Sequence, residues 1–144
     1  MSTSASPAFV SRSLSIRVDA DPEPTPRPRV FRNGGVLSRK TAFHHAVWGE
    51  ALKARPPAPI SGPVLLDVEF VFARPRSVGL DDLKATRPDV DNLVKSVMDA
   101  LTEAHWWGDD GQVAELRARK RWAMAGEAPG ARVLVRPLPP RQNV

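Results

Sequence analysis

A chain of 144 residues with a formal net charge of +5 and a sequence pI near 10.4 has room for one hydrophobic core and favours a polyanionic partner, nucleic acid first. The absence of cysteine excludes disulfides, thiolate catalysis and Cys-type zinc sites. No apolar run approaches membrane-spanning length, and residues 1–12, rich in Ser and Ala without a hydrophobic signal core, read as a disordered cytoplasmic tail.

Leu14, Ile16 and Val18 alternate with Ser15 and Arg17, the period of a half-buried strand. Residues 21–29 carry proline at every second position from 22 to 28, which excludes helix and central strand. The segment is either a proline-rich linker or peptide ligand, or a device that presents Arg27 and Arg29 to phosphates. Val30-Phe31-Arg32 and Val36-Leu37 flank Asn33-Gly34, which predicts a hairpin with a type I′ turn. A helix over 38–54 follows, capped by Ser38, with Phe43, Val47, Ala51 and Ala54 on one face. His44 and His45 are adjacent and so cannot form an i, i+4 metal pair; both are expected on the helix surface.

Residues 64–72 give the clearest strand. Val64, Leu66, Val68, Phe70 and Phe72 line one face, with Asp67 and Glu69 on the other. Glu69 is expected to face solvent, or to join an acidic site if the strand neighbours the helix that follows. A basic loop over 74–86 leads into Arg87-Pro88-Asp89-Val90-Asp91-Asn92-Leu93-Val94-Lys95. Proline at 88 biases Arg87 to an extended conformation and leaves Asp89 as an N-cap whose carboxylate would accept first-turn N–H groups. From 90 to about 104, Leu93, Val94, Val97, Ala100, Leu101 and Ala104 share one arc, and Asp91, Lys95, Asp99 and Thr102 the opposite one. Past Trp106-Trp107 comes Asp109-Asp110-Gly111-Gln112-Val113.

Gathered carboxylates repel one another, and a hard divalent cation relieves that repulsion. Mg²⁺ commonly takes one or two carboxylates and completes its shell with water and phosphate oxygens, so Asp89, Asp91 and Asp110 suit an open metal site with Lys95 facing a phosphate. The plainer alternative is also open: first-turn carboxylates that complement the helix dipole, and an Asp91–Lys95 surface salt bridge. Beyond the motif, residues 112–124 predict a long strand with Ala114, Leu116, Ala118, Trp122 and Met124 on one side. Arg117, Arg119 and Arg121 occupy the other, as a phosphate-tracking stripe or a solvated face. A short strand over 131–136 and a tail complete the chain. Trp106 and Trp107 are expected in core and dimer packing, with base stacking as the alternative.

The stretch P-D-V-D-N-L-V-K-S-V-M-D-A-L-T-E-A-H-W-W-G-D-D-G-Q-V resembles the signature of the RusA family of Holliday junction resolvases. The resemblance implies a Mg²⁺-dependent endodeoxyribonuclease, with Mn²⁺ as a substitute, that acts as a homodimer on four-way junction DNA. It implies that Asp89, Asp91 and Asp110 are catalytic metal ligands and that Lys95 is an essential lysine. Residues 13–137 would form one RusA-like domain between tails at 1–12 and 138–144. The expected fold is α+β, a small mixed β-sheet with two helices. Trp48, Trp106 and Trp107 are candidate contributors to the dimer interface. Competing readings are a non-catalytic basic DNA-binding protein and a broader nuclease of flaps and forks. No membrane partner is expected, and a DNA-acting protein of this kind would work in the cytoplasm, associated with the nucleoid.

Overall fold

Two strands that run parallel need a crossover between them, and here that crossover carries the acidic motif. The computed structural model describes residues 12–26, 29–37, 39–77 and 83–139. In chain order the elements are β1 (Leu14–Val18), β2 (Arg29–Val30), β3 (Val36–Leu37), α1 (Ala42–Lys53), β4 (Val64–Phe72), α2 (Val90–Glu103), a 3₁₀ turn (Asp110–Gln112), β5 (Val113–Trp122) and β6 (Gly130–Pro137). Four strands form a mixed sheet in the order β1-β6-β4-β5, antiparallel except for the β4–β5 pair. This is the expected α+β arrangement. No helix among the described residues is long and apolar enough to cross a membrane.

Alternation decides which face of the sheet is covered. Val64, Leu66, Val68 and Phe70 of β4 and Ala131, Val133 and Val135 of β6 point toward the helices and are buried. Against them pack Phe43, Val47 and Ala51 of α1 and Leu93, Val97, Ala100 and Leu101 of α2, with the Phe43 and Phe70 rings tilted at a centroid distance of 6.1 Å. The opposite face carries Arg17, Asp67, Glu69, Arg117, Arg119 and Arg132 around two open depressions. The molecule is therefore two layers, with the other sheet face polar around Asp67 and Glu69 and the apolar Leu65 and Val71 buried on either side of them.

Several local expectations are corrected. The hairpin has a longer turn than type I′: residues 31–35 connect β2 to β3, with Gly34 N–H donating to Phe31 O and Phe31 N–H to Gly35 O. Asn33 Oδ1 instead accepts from Gly35 N–H at 3.0 Å, the local side-chain turn that Asn favours. Helix α1 is capped by Thr41, whose Oγ1 accepts from His44 N–H at 3.0 Å; Ser38 lies outside the described residues. His44 is buried, not on the surface, because its Nε2 meets the Glu103 carboxylate of α2 at 3.0 Å. Burial raises the Glu103 carboxyl, but hydrogen bonds to His44 and Lys40 outweigh it and leave the group below its ordinary value. Phe72, placed with the core face, is half-buried; the Lys84 ammonium sits 5.1 Å from its ring centroid and 4.6 Å from that of Trp122.

Candidate active site

Helix α2 forms because its apolar arc has somewhere to go. Leu93, Val94, Val97, Ala100 and Leu101 are all buried, as the period requires, and the rotation leaves Asp91 and Lys95 exposed. Asp89 takes the N-cap position with extended dihedrals, yet its carboxylate makes no capping hydrogen bond. Among the described residues, Asp91 and Lys95 form no salt bridge with each other or with any other group. The capping bond and the surface pair are thus both absent, while Asp91 still lies in the first turn, where its charge complements the helix dipole.

The far end of α2 turns the chain sharply. Trp106 N–H donates to Leu101 O and His105 N–H to Thr102 O, with His105 at φ 61°. This is the Schellman pattern, whose left-handed residue is usually glycine. It drives Trp106 and Trp107 inward: both are buried, with Nε1 donating to Ala51 O at 2.8 Å and to Thr102 Oγ1 at 2.7 Å respectively. Base stacking and a direct part in a dimer interface are therefore excluded for both indoles. Trp48 on α1 remains partly exposed.

The 3₁₀ turn then divides the labour between two adjacent aspartates. Asp109 and Gln112 have the capping-box spacing: Gln112 Oε1 accepts from Asp109 N–H at 3.2 Å and Gln112 N–H donates to Asp109 O, with the Asp109 carboxylate lying against the turn at Gly111. A Cβ at Gly111 would come within 2.7 Å of Asp109 Oδ2, so a side chain there would force that carboxylate to move. Asp110, exposed like its neighbour, lines a cleft of about 300 Å³ with Asp91, Lys95, Val94, Met98 and Leu116. The cleft lies between α2 and the edge strand β5, on the helix side of the sheet. Asp89 lines a second depression of about 220 Å³ at the start of α2, with Pro24, Arg87, Pro88 and Asn92. Asp99 lines neither of these two.

Among the described residues no three His, Asp or Glu side chains converge on one point suited to a metal ion. What the cleft offers is two carboxylates, all-oxygen donors on an open surface beside a lysine. That donor set fits a hard cation that keeps several waters, Mg²⁺ or Mn²⁺, and does not fit zinc.

A model of the family described as Endodeoxyribonuclease RusA matches residues 19–136. The chain belongs to the RusA endodeoxyribonuclease family. It is 36% identical over 120 residues to an uncharacterized protein of Bacillus subtilis (strain 168), YqaN, across 73% of this chain and 82% of the relative. It is also 36% identical over 58 residues to a Lactococcus phage r1t protein named crossover junction endodeoxyribonuclease rusA, across 40% of this chain and 44% of the relative. The RusA match takes in both acidic stretches, α2 and the 3₁₀ turn.

In this RusA-family chain the basic residues are not arranged as a single stripe beside the cleft. Arg117 and Arg119 project on the sheet face away from the helices, opposite Asp67 and Glu69 in the β4–β5 register. Arg117 Nη1 lies 4.0 Å from Asp67, and Arg119 Nε donates to Glu69 at 2.7 Å. Arg121 is buried, donating from both Nη atoms to Glu127 at 2.6 and 2.7 Å and lying 3.1 Å from Glu69. Contrary to the expected phosphate contact, Arg121 is engaged inside the fold. Glu69 is likewise removed from the acidic site: burial raises its carboxyl, and Arg119 and Arg121 more than offset that. Arg27 lies outside the described residues, and Arg29 begins β2.

Two side chains at this site carried no assignment from sequence. Lys120, on the helix side of β5, donates to Thr86 O at 2.6 Å and Pro88 O at 2.8 Å, and so ties the segment preceding Asp89 to the strand. Gln112 does the same for the turn that bears Asp110. The signal for Gln112 was present as a Gln three residues after an Asp, the capping-box spacing. The signal for Lys120 was a charge interrupting the apolar side of a strand.

Proposed function

We propose that this protein is a Mg²⁺-dependent, structure-selective endodeoxyribonuclease that resolves four-way DNA junctions in recombination and repair. One observation carries the proposal: in a member of the RusA endodeoxyribonuclease family, Asp91, Asp110 and Lys95 line one open cleft. Among the described residues none of the three has an ion-pair partner to occupy it. The relative from Lactococcus phage r1t supports the same substrate class by its name.

In this reading Asp91 and Asp110 hold the cation, with Asp89 beside them at the start of α2. When bound, the ion supplies a Lewis acid and lowers the pKa of a coordinated water. The chain's own residues do the rest. Lys95 places an ammonium toward the phosphate, where it offsets negative charge that grows as the water oxygen bonds to phosphorus and the P–O bond to the leaving oxygen breaks. Val94, Met98 and Leu116 supply the apolar part of the cleft wall. The net charge of +5 draws the polyanion in.

A four-way junction presents symmetric strands, and each chain carries one such cleft, so paired incision calls for two copies about a two-fold axis. Light scattering should give about twice the chain mass of 15.8 kDa. The site of action is the cytoplasm, on nucleoid DNA. The deciding assay offers purified protein with Mg²⁺ a mobile four-way junction, a flap and a linear duplex. Symmetric incision of the junction alone is the expected result. Equal cutting of flaps would make it a broader branched-DNA nuclease, and binding without cutting would make it a DNA-binding protein.

A further inference from the structure

We infer that Gln112 is a positioning residue for the acidic cleft, fixing the Asp110 turn against the loop that precedes β4; this deepens the proposed function and rests on it. The carboxamide makes four hydrogen bonds. Its Oε1 accepts from Gly108 N–H at 2.9 Å and Asp109 N–H at 3.2 Å. Its Nε2 donates to Ile60 O at 2.8 Å and Gly62 O at 2.9 Å. A primary amide has two donors and two principal acceptor sites, so Gln112 has nothing left for DNA or a cation. It acts through Asp110, two residues away.

The surroundings explain why such a tie is needed. Residues 108–111 are all exposed, so no core contact fixes the turn. On one side the chain is anchored at Trp107, which bridges Ile60, and on the other at Val113, which pairs with Val64. Between those anchors the Gln112 side chain is the link from the turn to residues 60–62. Only an amide of this length supplies acceptor and donors together: Glu lacks the donors, Lys lacks the acceptor, and Asn is a methylene shorter. Groups that orient metal-binding side chains typically change metal affinity or activity by about 10–100-fold when removed.

The test compares wild type with Gln112→Met, which keeps the length and removes all four bonds, and with Gln112→Ala. Calorimetric binding of Mn²⁺ to the DNA-free protein should weaken by about tenfold. On junction DNA kcat should fall by about the same factor, while junction affinity without divalent ion stays within about twofold. In the wild type, hydrogen exchange at the Gly108 and Asp109 amides should be slowed, since both donate to Gln112. Unprotected amides at 108 and 109 would overturn the inference even if neither variant folds. Folded variants with a lower melting temperature but unchanged Mn²⁺ affinity and kcat would also overturn it, leaving Gln112 as a brace for the fold. A wild type that binds Mn²⁺ but cuts no branched DNA would sink the proposed function alone, and Gln112 would then be judged on Mn²⁺ affinity. A wild type that binds no Mn²⁺ would sink both.

Discussion

Arg121→Ala separates the two roles open to an arginine on a basic strand. Arg121 is 6% exposed. It donates to both Glu127 oxygens and to Trp122 O, and it lies 3.1 Å from Glu69. Removing it leaves two poorly solvated carboxylates without their shared cation, and breaking a buried pair from one side costs about 3–5 kcal/mol. Glu69 keeps Arg119 at 2.7 Å, so the lower end applies, about 3 kcal/mol. At about 4 °C per kcal/mol for a domain of this size, the melting temperature should fall by about 12 °C. Junction affinity, followed by fluorescence anisotropy across a salt series, should keep the wild-type slope because no phosphate contact is lost. A variant that melts like wild type, with the slope of log affinity against log salt reduced by about 0.9, would refute the structural role and return Arg121 to the DNA surface.

Lys95→Ala should leave stability within about 1 kcal/mol, because the side chain is exposed and has no salt-bridge partner among the described residues. Its turnover on junction DNA should nevertheless drop by about a hundredfold, the usual size for a lost electrostatic stabiliser, and wild-type turnover would reduce it to a surface residue. Glu127 predicts an acid-side effect. Hydrogen bonds from Arg121 first, then from Met124 N–H, hold its carboxyl down to about 2, against an ordinary value of 4.5. A carboxyl lowered on folding contributes stability that is whole above about pH 4.5 and is lost as pH falls toward 2. Thermal melts across that window should therefore fall less steeply for Glu127→Gln than for wild type; parallel curves would place the acid loss elsewhere.

What the sequence revealed was whatever depends on period alone. The arc from Leu93 to Leu101 had to be buried, so Asp91 and Lys95 had to face out. The alternation from Val64 to Phe70 likewise set the covered face of β4. Contacts between segments distant in sequence were not legible. Arg117, Arg119 and Arg121 look equivalent on a strand, and only Glu127 and Glu69 closing over the last of them take it out of solvent. His44 adjoins the apolar stripe of α1 and is buried because Glu103, from the next helix, supplies its partner. The inward turn of Trp106 and Trp107 follows from a left-handed His105, where glycine would have been the sign to look for. Lys120 was not legible because its partners are backbone carbonyls 34 and 32 residues away, and the far half of the Gln112 tie was not because Ile60 O and Gly62 O lie 52 and 50 residues away.

The proposed cutting site is the cleft between α2 and β5 that Asp110 of the 3₁₀ turn helps to line. Its most direct test is incision of a fixed-sequence four-way junction by wild type, Asp91→Asn and Asp110→Asn, each with Mg²⁺ and with EDTA, alongside metal-free junction binding. Wild type should make paired, Mg²⁺-dependent nicks, and both variants should bind the junction at least as tightly while cutting at least about a hundredfold more slowly. Wild-type incision by either variant, or undiminished cutting in EDTA, would contradict the account.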